Sequence, residues 1–175
     1  RLSLVGSEMC IRDSLGEHKA KKEVEVWADQ FKDNKKNYLK QRDAEADISS
    51  VPIMPSGLFK ELRNVLPNDS VVTLDAGTMC LQLTDALYYH QPKSLFSPLD
   101  FGLVGFSYPA GLGIKLAAPE RTVVSFHGDG GASMILPELS TAVENNINTV
   151  CVVMNNGTWG AEAAYQKDFF EGRYI

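Results

Sequence analysis

Apolar residues are sparse from residue 17 to 47 and dense from residue 56 onward, and the two regions follow different rhythms. In the first region Trp27, Phe31, Tyr38 and Leu39 stand among charged residues at spacings of four and seven. That spacing predicts a narrow apolar stripe on a solvated helix. "SSVPIMPSG" (49–57) then reads as a linker, with Pro52 and Pro55 breaking helix and Ser56 placed to cap the next one. Beyond it, helical and strand patterns alternate. "GLFKELRNVL" (57–66) predicts a helix and "SVVTLDAG" (70–77) a strand ending in a glycine turn. "TMCLQLTDALYY" (78–89) predicts a helix, and "GFSYPAGLGIKLAA" (105–118) a small-residue helix closed by Pro119. "RTVVSFHGDGG" (121–131) is strand then turn, "ASMILPELSTAVENN" (132–146) a helix, and "NTVCVVMNNGTWG" (148–160) strand then turn before a last helix. Helices alternating with strands that read as buried on both faces predict an α/β fold: a parallel sheet with helices on both faces.

In such folds ligands bind at the carboxyl ends of the strands. Three predicted strand ends carry unusual residues here: Asp75-Ala76-Gly77, Gly128-Asp129-Gly130-Gly131 and Asn155-Asn156-Gly157. Glycines in a strand-to-helix turn let the backbone approach a ligand and point N–H groups at it, which suits a phosphate. Asp129 would repel that phosphate unless a cation stood between them. Mg²⁺ fits, because it favours sites shared between one or two carboxylates and phosphate oxygens. A second protein oxygen should then come from a neighbouring strand end. Asn145-Asn146 ends a predicted helix, where asparagine caps. Asn155-Asn156 follows the apolar run "TVCVVM", and 27 positions separate Asp129 from Asn156 (156 − 129), room for turn, helix, turn and strand. The second pair is the better candidate.

Gly-Asp-Gly followed at this distance by Asn-Asn resembles the cofactor motif of the thiamine-diphosphate enzymes, in their diphosphate-binding domain. The resemblance implies thiamine diphosphate and Mg²⁺ as cofactors. It implies that Asp129 and Asn156 bind the metal by side chain and Thr158 by its backbone carbonyl. Gly128, Gly130 and Gly131 would line the diphosphate, with Ala76, Gly77 and Thr78 of "LDAGTMC" on its other side. "GLVGFSYPAGLGIKLAAP" (102–119) is similar to the segment that holds the thiamine bent, with Val104 as the apolar wedge between its rings; an ordinary core valine is the alternative. Gly111 and Gly113 follow no strand, so that GxG reads as close helix packing. Trp159 and Gly160 complete the expected cofactor contacts.

"NNGTWGAEAAYQKDFFEGRYI" (155–175) resembles the sulfoacetaldehyde acetyltransferases of that family, on Trp159, Gly160, Ala161, Glu162, Gln166, Asp168, Phe169, Arg173 and Tyr174. Those enzymes convert sulfoacetaldehyde and phosphate to acetyl phosphate and sulfite. One departure stands out: two basic residues follow the glutamate in that group, where this chain has Ala163 and Ala164. The implied activity is attack on a small aldehyde or 2-oxo acid through a C2 carbanion, as transferase or lyase. Glu162 is the candidate catalytic residue, a proton shuttle near the reacting carbon, or else a first-turn glutamate favoured by the helix dipole. Tyr165, Gln166 and Arg173 are candidates for the substrate or phosphate site. An acetolactate-synthase-like carboligase and a non-catalytic cofactor-binding subunit are the alternatives. His127, beside the turn, reads as a packed imidazole.

Composition narrows the classes. With 44% hydrophobic residues the 175-residue chain can bury a core. Its net charge of −5 argues against nucleic acid, and no apolar run approaches the roughly 20 residues of a membrane span. Cys10, Cys80 and Cys151 have no metal or redox spacing and suit a reducing compartment, so the expectation is cytoplasmic. The expected partners are a small-molecule substrate and further copies in a homodimer or homotetramer. "RLSLVGSEMCIRDS" (1–14) resembles a translated sequencing adapter and is read as foreign to the natural protein. Residues 15–55 form the expected charged linker helix and loop, and 56–175 the diphosphate-binding domain, read as incomplete. The family's activating glutamate comes from another domain that no segment here resembles.

Overall fold

The computed structural model describes residues 22–174, with side chains from residue 24. The reading of residues 1–14 therefore lies outside the described residues. The chain divides into two compact units after Glu45. The first contains helix α1 (Lys22–Ala44), where Trp27, Phe31 and Tyr38 are exposed and Leu39 half-buried, Trp27 and Phe31 stacked at 5.8 Å one turn apart.

In the second unit, α2 spans Pro55–Val65, α3 Thr78–Ala86, α4 Ser107–Ala117, α5 Asp129–Met134, α6 Leu136–Glu144 and α7 Gly160–Phe169. The strands are β1 (Val71–Leu74), β2 (Leu95–Phe96), β3 (Val123–Gly128) and β4 (Val150–Met154). They form one parallel sheet in the order β2-β1-β3-β4. Register pairs Leu74 with Phe126, and Gly128 with Met154, so the strand ends that carry glycine, acid and amide come out side by side.

Strands β1 and β3 are covered on both faces, while β4 at the edge leaves Val150 and Val153 exposed. Val72, Leu74, Val124 and Phe126 pack with Phe59 of α2 and with Met79, Cys80 and Leu83 of α3. The alternate residues face the other way, where Tyr108 and Leu112 of α4 join Ile135, Ala142 and Ile147. Period-two side-chain alternation divides one strand between two cores. Gly111 is the close-packing glycine of α4: a Cβ there would overlap Ser125 Oγ. Gly113 meets no neighbour within 4 Å, so only half of that GxG serves packing.

Four local expectations change. Ser56 does not cap α2; the helix begins at Pro55, with Met54 in the cap position and no side-chain cap bond. Proline is tolerated there because its missing N–H has no partner in the first turn anyway. The segment from Ala46 belongs to the second unit, and Gly57 approaches the Asp47 carbonyl so closely that a Cβ would stand 2.6 Å from its oxygen. The helix expected over 132–146 starts at Asp129 and breaks at Ile135, because Pro137 cannot donate into a continuous helix. Strand β2 was not anticipated: two residues carry no periodicity.

Candidate diphosphate and metal site

The carboxyl ends of β1, β3 and β4 open on one cavity of about 280 Å³. From β1 come Ala76, Gly77 and Thr78. Gly77 has φ +129°, a conformation that favours glycine, and it turns the chain directly into α3. From β3 come Gly128, Asp129, Gly130 and Gly131, and from the β4 exit Asn156, Thr158, Trp159, Gly160 and Glu162. Val104 enters from the loop before α4. Every residue expected to touch cofactor or metal therefore borders the same space. Met79, Gly102, Met154 and Ala161 border it too. Gly102 and Ala161 lie in stretches that carry the family resemblance, and Met154 ends β4.

The three glycines beside Asp129 differ in what they face. Gly128 has nothing within 4 Å of an added Cβ and is open to a ligand. At Gly130 a Cβ would stand 2.7 Å from the Trp159 indole nitrogen, and at Gly131 it would overlap Asp75 Oδ2. One glycine clears space for a guest; the other two admit an indole and a carboxylate from neighbouring strand ends.

The β4 exit is shaped by its two asparagines. Asn155 Oδ1 accepts the Gly157 N–H at 2.9 Å, and Asn156 Oδ1 accepts the Thr158 N–H at 3.2 Å. These Asx turns carry the chain through Gly157, at φ +68°, into α7. Asn145 instead closes α6, its side-chain amide donating to the Thr141 carbonyl at 2.9 Å, as expected of a helix-end asparagine.

Asp129 is half-buried on the cavity wall, and among the described residues no hydrogen bond or ion pair occupies its carboxylate. Nor do three or more His, Cys, Asp or Glu side chains cluster there in a metal-holding group. A cation at this place would thus be held by one carboxylate with neutral oxygens, and an anionic guest would complete its shell. That donor set suits Mg²⁺ shared with phosphate.

Beneath the turn lies a polar cluster in which Asp75, Ser107 and His127 are all inaccessible. Asp75 Oδ1 accepts the Phe106 N–H at 2.7 Å and the Ser107 N–H at 3.3 Å; Oδ2 accepts the Gly105 N–H at 3.0 Å. His127 Nδ1 stands 3.3 Å from Oδ2 but off the line of a directed hydrogen bond, so the contact is electrostatic. Burial pushes the Asp75 pKa up; the His127 imidazole and the Gly105 and Ser107 amides outweigh it and hold the carboxyl below its ordinary value. His127 is packed, as read from the sequence, with the Tyr108 ring edge-on at 6.5 Å. The role of Asp75 was missed, since its partners lie about thirty residues away.

Ala161 and Glu162 also border a second, open cavity of about 800 Å³ with Tyr165, Gln166, Phe170, Arg173 and Tyr174. Glu162 therefore stands where the two spaces meet. Asp168 and Phe169 border neither.

Adjacent strand ends of this parallel α/β sheet thus bring an unpaired acid, an amide and glycine turns to one cavity. The chain belongs to the thiamine pyrophosphate enzymes: residues 75–175 match the family model of their C-terminal TPP-binding domain. It is 35% identical over 121 residues to a sulfoacetaldehyde acetyltransferase of Castellaniella defragrans, covering 69% of this chain and 20% of that protein. It is also 35% identical over 130 residues to the acetolactate synthase isozyme 3 large subunit of Escherichia coli (strain K12), covering 73% and 22%. Among solved structures, a thiamine diphosphate-dependent 4-hydroxybenzoylformate decarboxylase of Rhodococcus jostii RHA1 superposes with a TM-score of 0.68. That match has 28% identity and covers 74% of this chain and 24% of the other. The chain spans about a fifth of the length of the curated relatives it matches.

Proposed function

We propose that this chain supplies the diphosphate and Mg²⁺ anchor of a thiamine-diphosphate enzyme that acts on a small aldehyde or 2-oxo acid. The observation that carries it is the unpaired Asp129 carboxylate facing Asn156 and the open Gly128 across one cavity. Asp129, Asn156 Oδ1 and the Thr158 carbonyl would hold the cation. When bound, thiamine diphosphate supplies a nucleophilic carbon that adds to a carbonyl and accommodates the electron pair left by bond cleavage. Val104 would press against its rings, Trp159 and Gly160 would close the diphosphate end, and Glu162 would hold or return a proton at the substrate oxygen.

The preferred reaction is that of a sulfoacetaldehyde acetyltransferase: sulfoacetaldehyde and phosphate to acetyl phosphate and sulfite. Support comes from the W-G-A-E stretch and from the second cavity, where Arg173, Gln166 and Tyr165 could receive an oxyanion. Ala163 and Ala164, in place of two basic residues, and equal identity to an acetolactate synthase favour an acetolactate-forming enzyme as the second reading. The full-length protein would work as a homodimer or homotetramer in the cytoplasm; among the described residues no helix is long and apolar enough to cross a membrane.

Calorimetric titration of the full-length protein tests the anchor. Thiamine diphosphate should bind only with Mg²⁺ present, and Asp129→Ala should abolish binding; unchanged affinity in that variant refutes the site. Phosphate-dependent sulfite release from sulfoacetaldehyde selects the first reaction, and acetolactate from pyruvate selects the second.

A further inference from the structure

We infer that Asp75 is a positioning residue: through the amides of Gly105, Phe106 and Ser107 it sets Val104 against the Gly128–Gly131 turn, and so fixes the space left for the thiamine rings. This rests on the thiamine-diphosphate reading of the cavity.

Two strand ends and the start of α4 meet at this one carboxylate. Asp75 leaves β1, its oxygens receive the N–H groups at the start of α4, and Gly131 of the β3 turn lies against Oδ2. A Cβ on Gly131 would overlap Oδ2 and stand 3.6 Å from Val104 Cγ1, so the acid and the valine both border the space where that Cβ would point. Val104 is followed by Gly105, held at φ +85°, whose N–H is the one bound to Oδ2. The direction in which the valine leaves the loop is therefore tied to that oxygen.

The carboxylate is fully inaccessible, in a place where an apolar residue would cost no desolvation. The apolar face of the same strand shows that hydrocarbon suffices for stability there. A carboxylate is the group able to accept three N–H bonds at two oxygens while facing an imidazole. Asparagine has the same shape but sets its own N–H against an amide in either orientation, at Gly105 or at Phe106 and Ser107. The loop carrying Val104 must then shift, while Asp129 and Gly128 stay in place.

The test compares Mg²⁺ with thiamine diphosphate and Mg²⁺ with inorganic pyrophosphate on the full-length protein, by calorimetry. Asp75→Asn should weaken thiamine diphosphate about tenfold, the cost of one opposed hydrogen bond to a charged group, and leave pyrophosphate unchanged. Val104→Ala should show the same selectivity, and the double variant should be no worse than the weaker single variant, because the two residues act as one. Equal loss on both probes, no loss on either, or additive losses in the double variant overturns the assignment. Wild-type protein that binds no thiamine diphosphate overturns the cofactor reading itself, and this inference with it. If amide exchange in Val123–Gly128 shows that Asp75→Asn does not fold, Phe106→Pro carries the same test. It deletes one donor, keeps the carboxylate, and suits the Phe106 φ of −75°. The same selective loss supports the inference, and equal loss or none overturns it.

Discussion

On one face of the sheet, Val72, Leu74, Val124 and Phe126 meet α2 and α3 through hydrocarbon. On the other, Thr73, Asp75, Ser125 and His127 alternate with them along the same two strands and are equally inaccessible. Ser107 Oγ donates to the Thr73 carbonyl at 2.9 Å and stands 3.0 Å from Thr73 Oγ1, which donates to Ser125 Oγ at 2.8 Å. The apolar face stabilises without direction, since burial rewards area. The polar face is directional, since each buried donor or acceptor needs its partner in place. That face runs to the cavity, where groups must be held to fractions of an ångström. The contrast teaches where precision is located: the strands carry stability on one side and alignment on the other.

The sharpest way to break this contrast is Phe126→Ala. It should cost about 3–5 kcal/mol in denaturant unfolding, as for other buried aromatic truncations, with no change in the ratio of thiamine diphosphate to pyrophosphate affinity. A changed ratio would mean that the apolar face also aligns the site. Gly111→Ala drives a methyl into Ser125 Oγ from the polar side. It should cost about 1–3 kcal/mol, the range for overpacking, measured in the same unfolding experiment. Thr73→Val keeps the volume and removes the hydroxyl that links Ser107 to Ser125. About 1–2 kcal/mol should be lost there, and Val72→Thr, the reverse exchange on the apolar face, should lose at least as much by burying an unpaired hydroxyl.

The smallest effect is in acid. The Asp75 carboxyl is held below its ordinary 3.8 in the folded chain, so below that pH the unfolded chain binds the extra proton. Its contribution to stability is then full above pH 3.8 and is lost as the pH falls through the lower native value. Asp75→Asn should flatten the acid limb of stability against pH by about one proton at most; Val72→Ala should leave that limb's slope unchanged.

Much of this was legible in the residues. The β-branched runs at 71–74, 123–128 and 150–154 mark strands because they are short and rich in valine, and turn residues follow them. The glycine, acid and amide residues that end them mark the cavity, because parallel strands bring their carboxyl ends together. What escaped had weak local signals. Leu95–Phe96 is too short for a period, and the break at Ile135 lay inside an apolar stretch that reads as one helix. The glycine turn was read as uniform, whereas Trp159 and Asp75 occupy the space beside two of its members.

Local pattern was enough for most of the elements, for a parallel sheet and for Asp129 and Asn156 at its strand ends, since burial periodicity and strand-end chemistry are written in nearby positions; the other expected cofactor contacts followed from the family resemblance. The job of Asp75 was not written there, nor were the separate reasons for Gly128, Gly130 and Gly131. Asp75, Gly130 and Gly131 depend on partners far along the chain: an amide of the loop before α4, an indole after β4, a carboxylate after β1; Gly128 differs from them by having none. Such contacts exist only once the sheet has set those segments side by side.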